Sequence, residues 1–375
     1  MSAYDPCVFI NDKAGLILEV HVDDINVMGR SLQAILDFKV HFAKQFPISD
    51  EGECSWYLGM HIEQKPGEIH LHQKQYIDQI VQKYGFGDAV PVRTPLDKNI
   101  KLAKQDGYTA DTKFRKVYQS KVGSLNFSSN QTRPDIAFAT GYVARYASNP
   151  SRAHMDAVDR IFAYLKSDPR RGIVYSDKYG LELTGFVDSD FAGCEDSRKS
   201  TTGWVFTLAG GPVSWSSQRQ KTVATSTMDA EYIACAEAAK EAVWIRNFIN
   251  DLRIPGVHIN TVPLYIDSNS ALKLTRNPEF HSKSKHIDVK HHFVREKVDE
   301  GLINTRRVDT KDNLADVFTK ALSRPTHEDL VNRLNLQSGG DSALVPSSLP
   351  KKGKKTGSEC SGSGILSGAS APSGP

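Results

Sequence analysis

Apolar and polar positions along the first hundred residues keep first the period of strands and then that of a helix. The runs CVFIN and LILEVHVDDINVMG read as strands. The second is broken at Asp23-Asp24 and so folds into a hairpin. A helix is expected from Ser31 to Phe46, and SWYLGMHIEQKPGEIHLHQ reads as a second hairpin turned at Pro66-Gly67. KQYIDQIVQKYGF carries apolar residues at helical spacing and is ended by the prolines of PVRTPL. The middle of the chain is helical, through FRKVYQSKVGSLNFSSN, TRPDIAFATGYVARYASNP and AHMDAVDRIFAYLKSDP. In the last of these, Met155, Val158, Ile161, Phe162 and Leu165 share one stripe. From Gly172 the pattern changes to three β runs, GLELTGFVDSDFAG, GWVFTLAGGPVSWSS and KTVATS. A long helix from Thr227 to Leu252 follows, then the strand VPLYID, a helix from Ser270 and a basic helix through DVKHHFVREKV. The strand LINTRRVD and a helix over NLADVFTKAL close the pattern. Meandering strands followed by alternating helices and strands predict an α/β fold, a mixed sheet with helices packed on it.

Composition narrows the picture. At 375 residues the chain exceeds one small core and suggests two or three domains. A formal charge of +3 is nearly neutral, so a polyanionic partner must be held by local basic patches. Cys7, Cys54, Cys194, Cys235 and Cys360 lie far apart with no C-x-x-C, which argues against a disulfide framework and fits a reducing compartment. No apolar run approaches the ~18 residues that span a bilayer, and no secretory leader is recognisable. From about Ser338 the text is rich in Gly, Ser and Pro, a composition that cannot bury enough apolar surface to order itself.

The candidate chemistry is carboxylate chemistry. Asp23 and Asp24 repel one another inside a β-prone run, so they form either an exposed turn or a cation site. Asp188 ends the strand LTGFVD, with Asp190 two residues on and on the same face, and Asp267 ends PLYID before a helix. Taken singly, an aspartate at a strand end is a common turn or cap residue. Glu231 is more telling, because Ala234, Cys235, Ala238, Ala242, Ile245 and Ile249 follow it at steps of three and four. The carboxylate therefore begins the buried stripe of its helix, and the small alanines let that helix approach the sheet. Asp316 sits among Leu314, Ala315, Val317 and Phe318. Four such acids brought together would hold one another protonated unless hard cations took their oxygens. Two Mg²⁺ ions, or Mn²⁺ in their place, would make the set favourable and suit in-line phosphodiester hydrolysis.

The motifs DPCVFI, VDDI, YLGMHIE, VGSLNF, TRPDIAFA, FVDSDFAG, DSRKSTTGWVF, STMDAEYIA, LYIDSNSA, KHIDVKHHFVRE and LADVFTKAL stand in one order. In them the chain, from about Asp5 to Leu322, resembles the C-terminal part of a copia-type LTR-retrotransposon polyprotein, the end of the reverse transcriptase followed by ribonuclease H. The resemblance implies a partial reverse-transcriptase palm over 1–96, a helical thumb or connection segment over 97–171, and a ribonuclease H domain over 172–322. A disordered tail over 323–375 is expected beyond them. It places the catalytic and metal-binding set on Asp188, Glu231, Asp267 and Asp316, with Asp190 as rival to Asp188. It implies cleavage of the RNA strand of RNA–DNA hybrids with two metal ions. It also makes Asp23 and Asp24 the relic of a polymerase metal site whose first aspartate and fingers lie upstream in the family, with His21 where the family has tyrosine.

Implied partners are RNA, DNA, their hybrid and other polyprotein parts, without a membrane, in a cytoplasmic particle or the nucleus. Hybrid contacts are expected at Arg198, Lys199, Asn269, Lys285 and His286, which flank the acids. His281, His286, His291 and His292 lack a cysteine pair and the spacing of a zinc finger. The alternative reading is a catalytically inactive nucleic-acid-binding remnant.

Overall fold

The computed structural model describes residues 1–275 and 285–339. Strands β1 (Val8–Asn11), β2 (Leu16–His21) and β3 (Asp24–Gly29) form an antiparallel sheet in that order. His21 pairs with Asp24, so Val22 and Asp23 make a two-residue turn, with Val22 at φ 55°. Helix α1 (Leu32–Ala43) follows, its first turn capped by the Ser31 hydroxyl, which accepts from the Ala34 amide.

Next come β4 (Trp56–Tyr57), β5 (Met60–Lys65) and β6 (Glu68–His72), with Gly67 at φ +74° turning the β5–β6 hairpin after Pro66. Four helices, α2 (Lys74–Lys83), α3 (Thr112–Gln131), α4 (Ala137–Ala144) and α5 (Arg152–Ser167), then build one core. The stripe expected on α5 is buried in full, from Met155 to Leu165.

Within this core lies a fully buried ion pair. Arg133 Nε and Nη2 donate to the two oxygens of Asp135 at 2.9 and 2.8 Å, and the Tyr164 hydroxyl donates to Asp135 at 2.7 Å. Arg133 Nη1 also donates to the Asp168 carbonyl at 3.1 Å, tying the start of α4 to the end of α5. Burial alone would raise the Asp135 pKa; the adjoining Arg133 charge outweighs it and holds the carboxyl well below the usual range.

The chain then forms β7 (Gly172–Ser176), β8 (Thr184–Asp190), β9 (Thr201–Leu208), β10 (Gly211–Arg219), the long α6 (Thr227–Asp251), β11 (Val262–Ile266) and α7 (Asn269–Leu274). It continues through α8 (Lys285–Asp299), β12 (Ile303–Arg307), α9 (Arg324–Arg333) and β13 (Leu336–Gln337). A five-stranded sheet runs β10-β9-β8-β11-β12. Its first three strands meander antiparallel, while β8, β11 and β12 are parallel. Helix α6 covers one face of it through the alanines and isoleucines of its buried stripe. This is the expected mixed α/β sheet with flanking helices.

Several expectations need correction. Strand β7 does not join that sheet but extends the earlier hairpin, in the order β13-β7-β6-β5-β4. Residues 323–339 are not a disordered tail: α9 and β13 are formed, and β13 pairs with β7. The reason is apolar burial, since Leu330, Val331, Leu334 and Leu336 pack with Ile173, Phe186 and Phe318. The remainder of the expected tail lies outside the described residues. KTVATS is no strand, because its end delivers the chain into α6, where the Ser226 hydroxyl accepts from the Asp229 amide. Over NLADVFTKAL the chain makes a short 3-10 turn, Leu314–Phe318, whose residues are all buried, so it has no wet face for an amphipathic helix. Trp244, on α6, is exposed and stacks on Phe248.

Replacing Arg133 by Ala would strand the Asp135 charge in the core. Urea unfolding is expected to show a loss of ~3–5 kcal/mol, with a smaller loss when Asp135 is removed as well. A single-variant loss no greater than that of a surface substitution would contradict the role of the pair.

Candidate active site

The parallel register between β8 and β11 sets Val187 beside Ile266, so the next residue of each chain, Asp188 and Asp267, emerge side by side. Asp188 lies inside β8 rather than at its end and is 3% exposed. Across the antiparallel pair it faces Gly203. A Cβ at Gly203 would come within 2.6 Å of Thr319 Cγ2 and 2.8 Å of Phe318 Cβ. Only a hydrogen at that position lets the 3-10 turn lie against the sheet and bring Asp316 down beside Asp188. Asn313 fastens the same turn: its Nδ2 donates to the Val187 carbonyl at 2.9 Å, and its Oδ1 accepts from the Ala315 amide at 3.1 Å.

One carboxylate oxygen from each of Asp188, Asp267 and Asp316 falls within 4.8 Å of the others. Glu231, on the first turns of α6, adjoins the trio and feels the charge of all three. Its Oε2 is buried and has no hydrogen-bond partner. The structure thus brings all four expected acids together. Asp190 lies nearby but outside the trio, held close against Gly193.

The electrostatics follow from the crowding. Burial first, then the Asp188 and Asp267 charges, push the Glu231 pKa up to about 9. Asp316 is pushed up to about 7 by burial and by Asp188, against the pull of Lys320. Asp267 and Asp190 are also raised, by burial and by Asp188. The oxygen-only donor set and the unpartnered Glu231 oxygen fit a hard divalent cation.

Three residues here escaped the sequence reading. Lys320 Nζ lies 2.9 Å from Asp316 Oδ1 and 3.5 Å from Asp188 Oδ2, so a lysine supplies positive charge to the acids. The Thr319 hydroxyl donates to Asp188 Oδ2 at 2.5 Å. Asn313 positions the turn. Thr319 and Lys320 follow Asp316 by three and four residues, and that spacing was the available signal.

The other expected residues are more dispersed. Asp23 and Asp24 are exposed at the β2–β3 tip, and among the described residues no third ligand joins them in a metal-sized group. Arg198, at φ 53° in the loop after β8, is exposed, and its charge offsets a little of the rise that burial and Asp188 impose on Asp190. Lys199 donates to the Lys221 carbonyl at 2.7 Å. Asn269 is exposed at the first residue of α7. The side chains of Lys285 and His286 lie outside the described residues.

Comparison with known proteins adds the following. A family described as reverse transcriptase (RNA-dependent DNA polymerase) matches residues 7–98. The chain is 38% identical over 333 residues to the retrovirus-related Pol polyprotein from transposon TNT 1-94 of Nicotiana tabacum, covering 86% of this chain and 25% of that one. It therefore spans about a quarter of the length of that relative. An uncharacterized mitochondrial protein of Arabidopsis thaliana is 33% identical over 233 residues, covering 61% of this chain and 94% of that one. Among solved structures, the foamy viral protease-reverse transcriptase in complex with RNA/DNA hybrid is 17% identical, with a TM-score of 0.43 over 78% of this chain and 36% of that one.

The raised acids make a pH prediction. Each keeps its proton in the folded chain to higher pH than in the unfolded one, so their contribution is present at low pH. For Glu231 it is lost as pH rises from the ordinary carboxylate range through about 9. Thermal unfolding in EDTA should therefore show stability falling from pH 6 to pH 9. Glu231→Gln should flatten that fall and stabilise the metal-free chain at the alkaline end by ~1–3 kcal/mol. A steeper fall in the variant would contradict the assignment.

Proposed function

Because the chain belongs to the copia-type retrotransposon Pol family, we propose that its four-acid site hydrolyses the RNA strand of RNA–DNA hybrids. The observation that carries this reading is the convergence of Asp188, Asp267 and Asp316 within 4.8 Å beside the buried Glu231. Acids from β8, β11, α6 and the 3-10 turn meet at one end of a twisted sheet, where a strand of nucleic acid can be laid against them.

In the proposed reaction, water adds to phosphorus and the P–O3′ bond breaks, leaving a 3′ hydroxyl on the RNA. Asp188, Asp267 and Glu231 would hold a pair of divalent cations. When bound, two Mg²⁺ ions supply an activated water and charge stabilisation for the leaving oxygen. Asp316, raised to about 7, is suited to take or give a proton near neutral pH at the edge of the site. Thr319 fixes the Asp188 carboxylate through its 2.5 Å hydrogen bond. The Lys320 side chain is 41% exposed and can leave the acids when the site is filled. Arg198 and Asn269, exposed on the segments after β8 and β11, are assigned to phosphate and minor-groove contacts. Lys199, Lys285 and His286 are proposed for the same surface.

Polymerisation is not assigned to this chain. Nucleotide transfer needs further ligands around Asp23 and Asp24, and among the described residues these acids stand without one. A second reading, an inactive nucleic-acid-binding remnant, has one observation in its favour: Lys320 already neutralises Asp188 and Asp316.

A hybrid-cleavage assay with and without Mg²⁺ separates the two readings. The full chain should cut only with the metal. Asp267→Asn should lose more than ~100-fold in rate, beyond the loss typical of an outer-shell residue, while hybrid binding persists. Salt-sensitive binding without cleavage in the unaltered chain would favour the remnant.

A further inference from the structure

A second cluster of metal-ligating side chains lies on the β5–β6 hairpin, in the other five-stranded sheet. The register sets Glu63 opposite His70 and His61 opposite His72. Alternate residues of a strand share a face, so these four side chains form a square on one side of the hairpin. His72 Nε2 is 2.8 Å from Glu63 Oε1, and His70 Nδ1 is 3.8 Å from Glu63 Oε2. One ligand atom from each of Glu63, His70 and His72 lies within 4.8 Å of the other two.

A plain hydrogen-bond network accounts for two of the three. Glu63 accepts from His72 and takes both oxygens' worth of Arg170, whose Nη2 lies 2.7 and 2.6 Å away. It does not account for His70. That ring is 3% exposed, and neither of its nitrogens makes a hydrogen bond of good geometry, although the backbone of Gln337 lies near enough to act on it as a weak hydrogen-bond partner. Burying an imidazole in this way is costly unless something takes its lone pair. Gly339 closes over it, so near that a Cβ there would stand 2.8 Å from Nδ1.

We propose that Glu63, His70 and His72 bind a borderline divalent transition ion, Zn²⁺ by preference, as a structural clamp on the hairpin. Two imidazole nitrogens and one carboxylate oxygen suit zinc, whereas Mg²⁺ takes oxygen ligands. A neutral imidazole presents a lone pair on one ring nitrogen, and that is the form a metal takes. Arg170 holds the Glu63 carboxylate from its outer side and also donates to the Gly339 carbonyl at 3.0 Å. It thereby orients a ligand in the manner of an outer-shell residue and links the hairpin to the segment after β13. The fourth position falls to water; the His61 ring lies outside the trio and stacks on His72 at 5.0 Å between centroids.

The test uses the full chain, stripped with EDTA and dialysed against limiting ZnCl₂ in millimolar MgCl₂, with bound zinc counted by mass spectrometry. Stoichiometric zinc is expected in the unaltered chain and in Asp188→Asn/Asp267→Asn, with loss to background in His70→Gln/His72→Gln. Zinc-edge X-ray absorption of the unaltered chain should show imidazole scattering, which needs no variant to fold. No zinc retained, zinc lost only with the two aspartates, or an absorption spectrum free of imidazole would each overturn the proposal.

Discussion

Carboxylates do not crowd together without something to offset their charge, and the second half of this chain is built around forcing them to. Asp188 and Asp267 are neighbours because two parallel strands share a register. Asp316 joins them because Gly203 leaves room for a turn to lie flat. Glu231 faces inward because its helix presents alanines to the sheet. The outcome is visible in the acids themselves, with Glu231 raised to about 9 by burial and its neighbours' charges. Lys320 offsets part of the repulsion, and hard cations would offset the rest.

The two five-stranded sheets are joined by apolar packing of Ile173 and Leu336 with Phe186 and Val205, and polar contacts tie the acid-bearing sheet to the helical core. Trp215 on β10 donates from its indole nitrogen to the Ser129 carbonyl of α3 at 3.0 Å, and Arg145 after α4 donates to Thr201 of β9 at 3.0 Å. Strand β13 returns from the far end of the chain to pair with β7, which itself extends the β5–β6 hairpin. The segment that carries the acids is thus laced into the segment before it. A boundary drawn at residue 172 cuts across a sheet, not between two.

Two kinds of ligand set occur in this one fold, and their chemistry separates them. The acid set offers oxygen alone at a partly open sheet end, which suits ions that exchange with solvent and substrate. The hairpin set offers buried imidazoles beside one carboxylate, under a glycine and an arginine that close it. An ion that satisfies one set satisfies the other poorly.

Much of this was legible in the residues. The buried stripe of α5, the hairpin turn at Pro66-Gly67 and the inward face of Glu231 follow from periodicity, because a side chain's face is set by its own strand or helix. Asp188 and Asp267 were named from strand ends, Glu231 from that face, and Asp316 from the apolar residues around it. What local pattern cannot reveal is which distant segments meet. The chain from Gly172 reads as the start of a new sheet, yet its first strand, β7, pairs with the earlier hairpin. The residues after 323 read as tail, yet Leu330, Leu334 and Leu336 find an apolar surface that exists only once the sheet is formed. Asn313, Thr319 and Lys320 matter because a 3-10 turn lies on Gly203, a contact across more than a hundred residues. Glu63, His70 and His72 look like ordinary polar strand positions until register sets them face to face. The sequence determined the elements and their faces, since those depend on neighbours a few residues away. Tertiary structure decided the sites, since a ligand set is a matter of distance in space between atoms far apart along the chain.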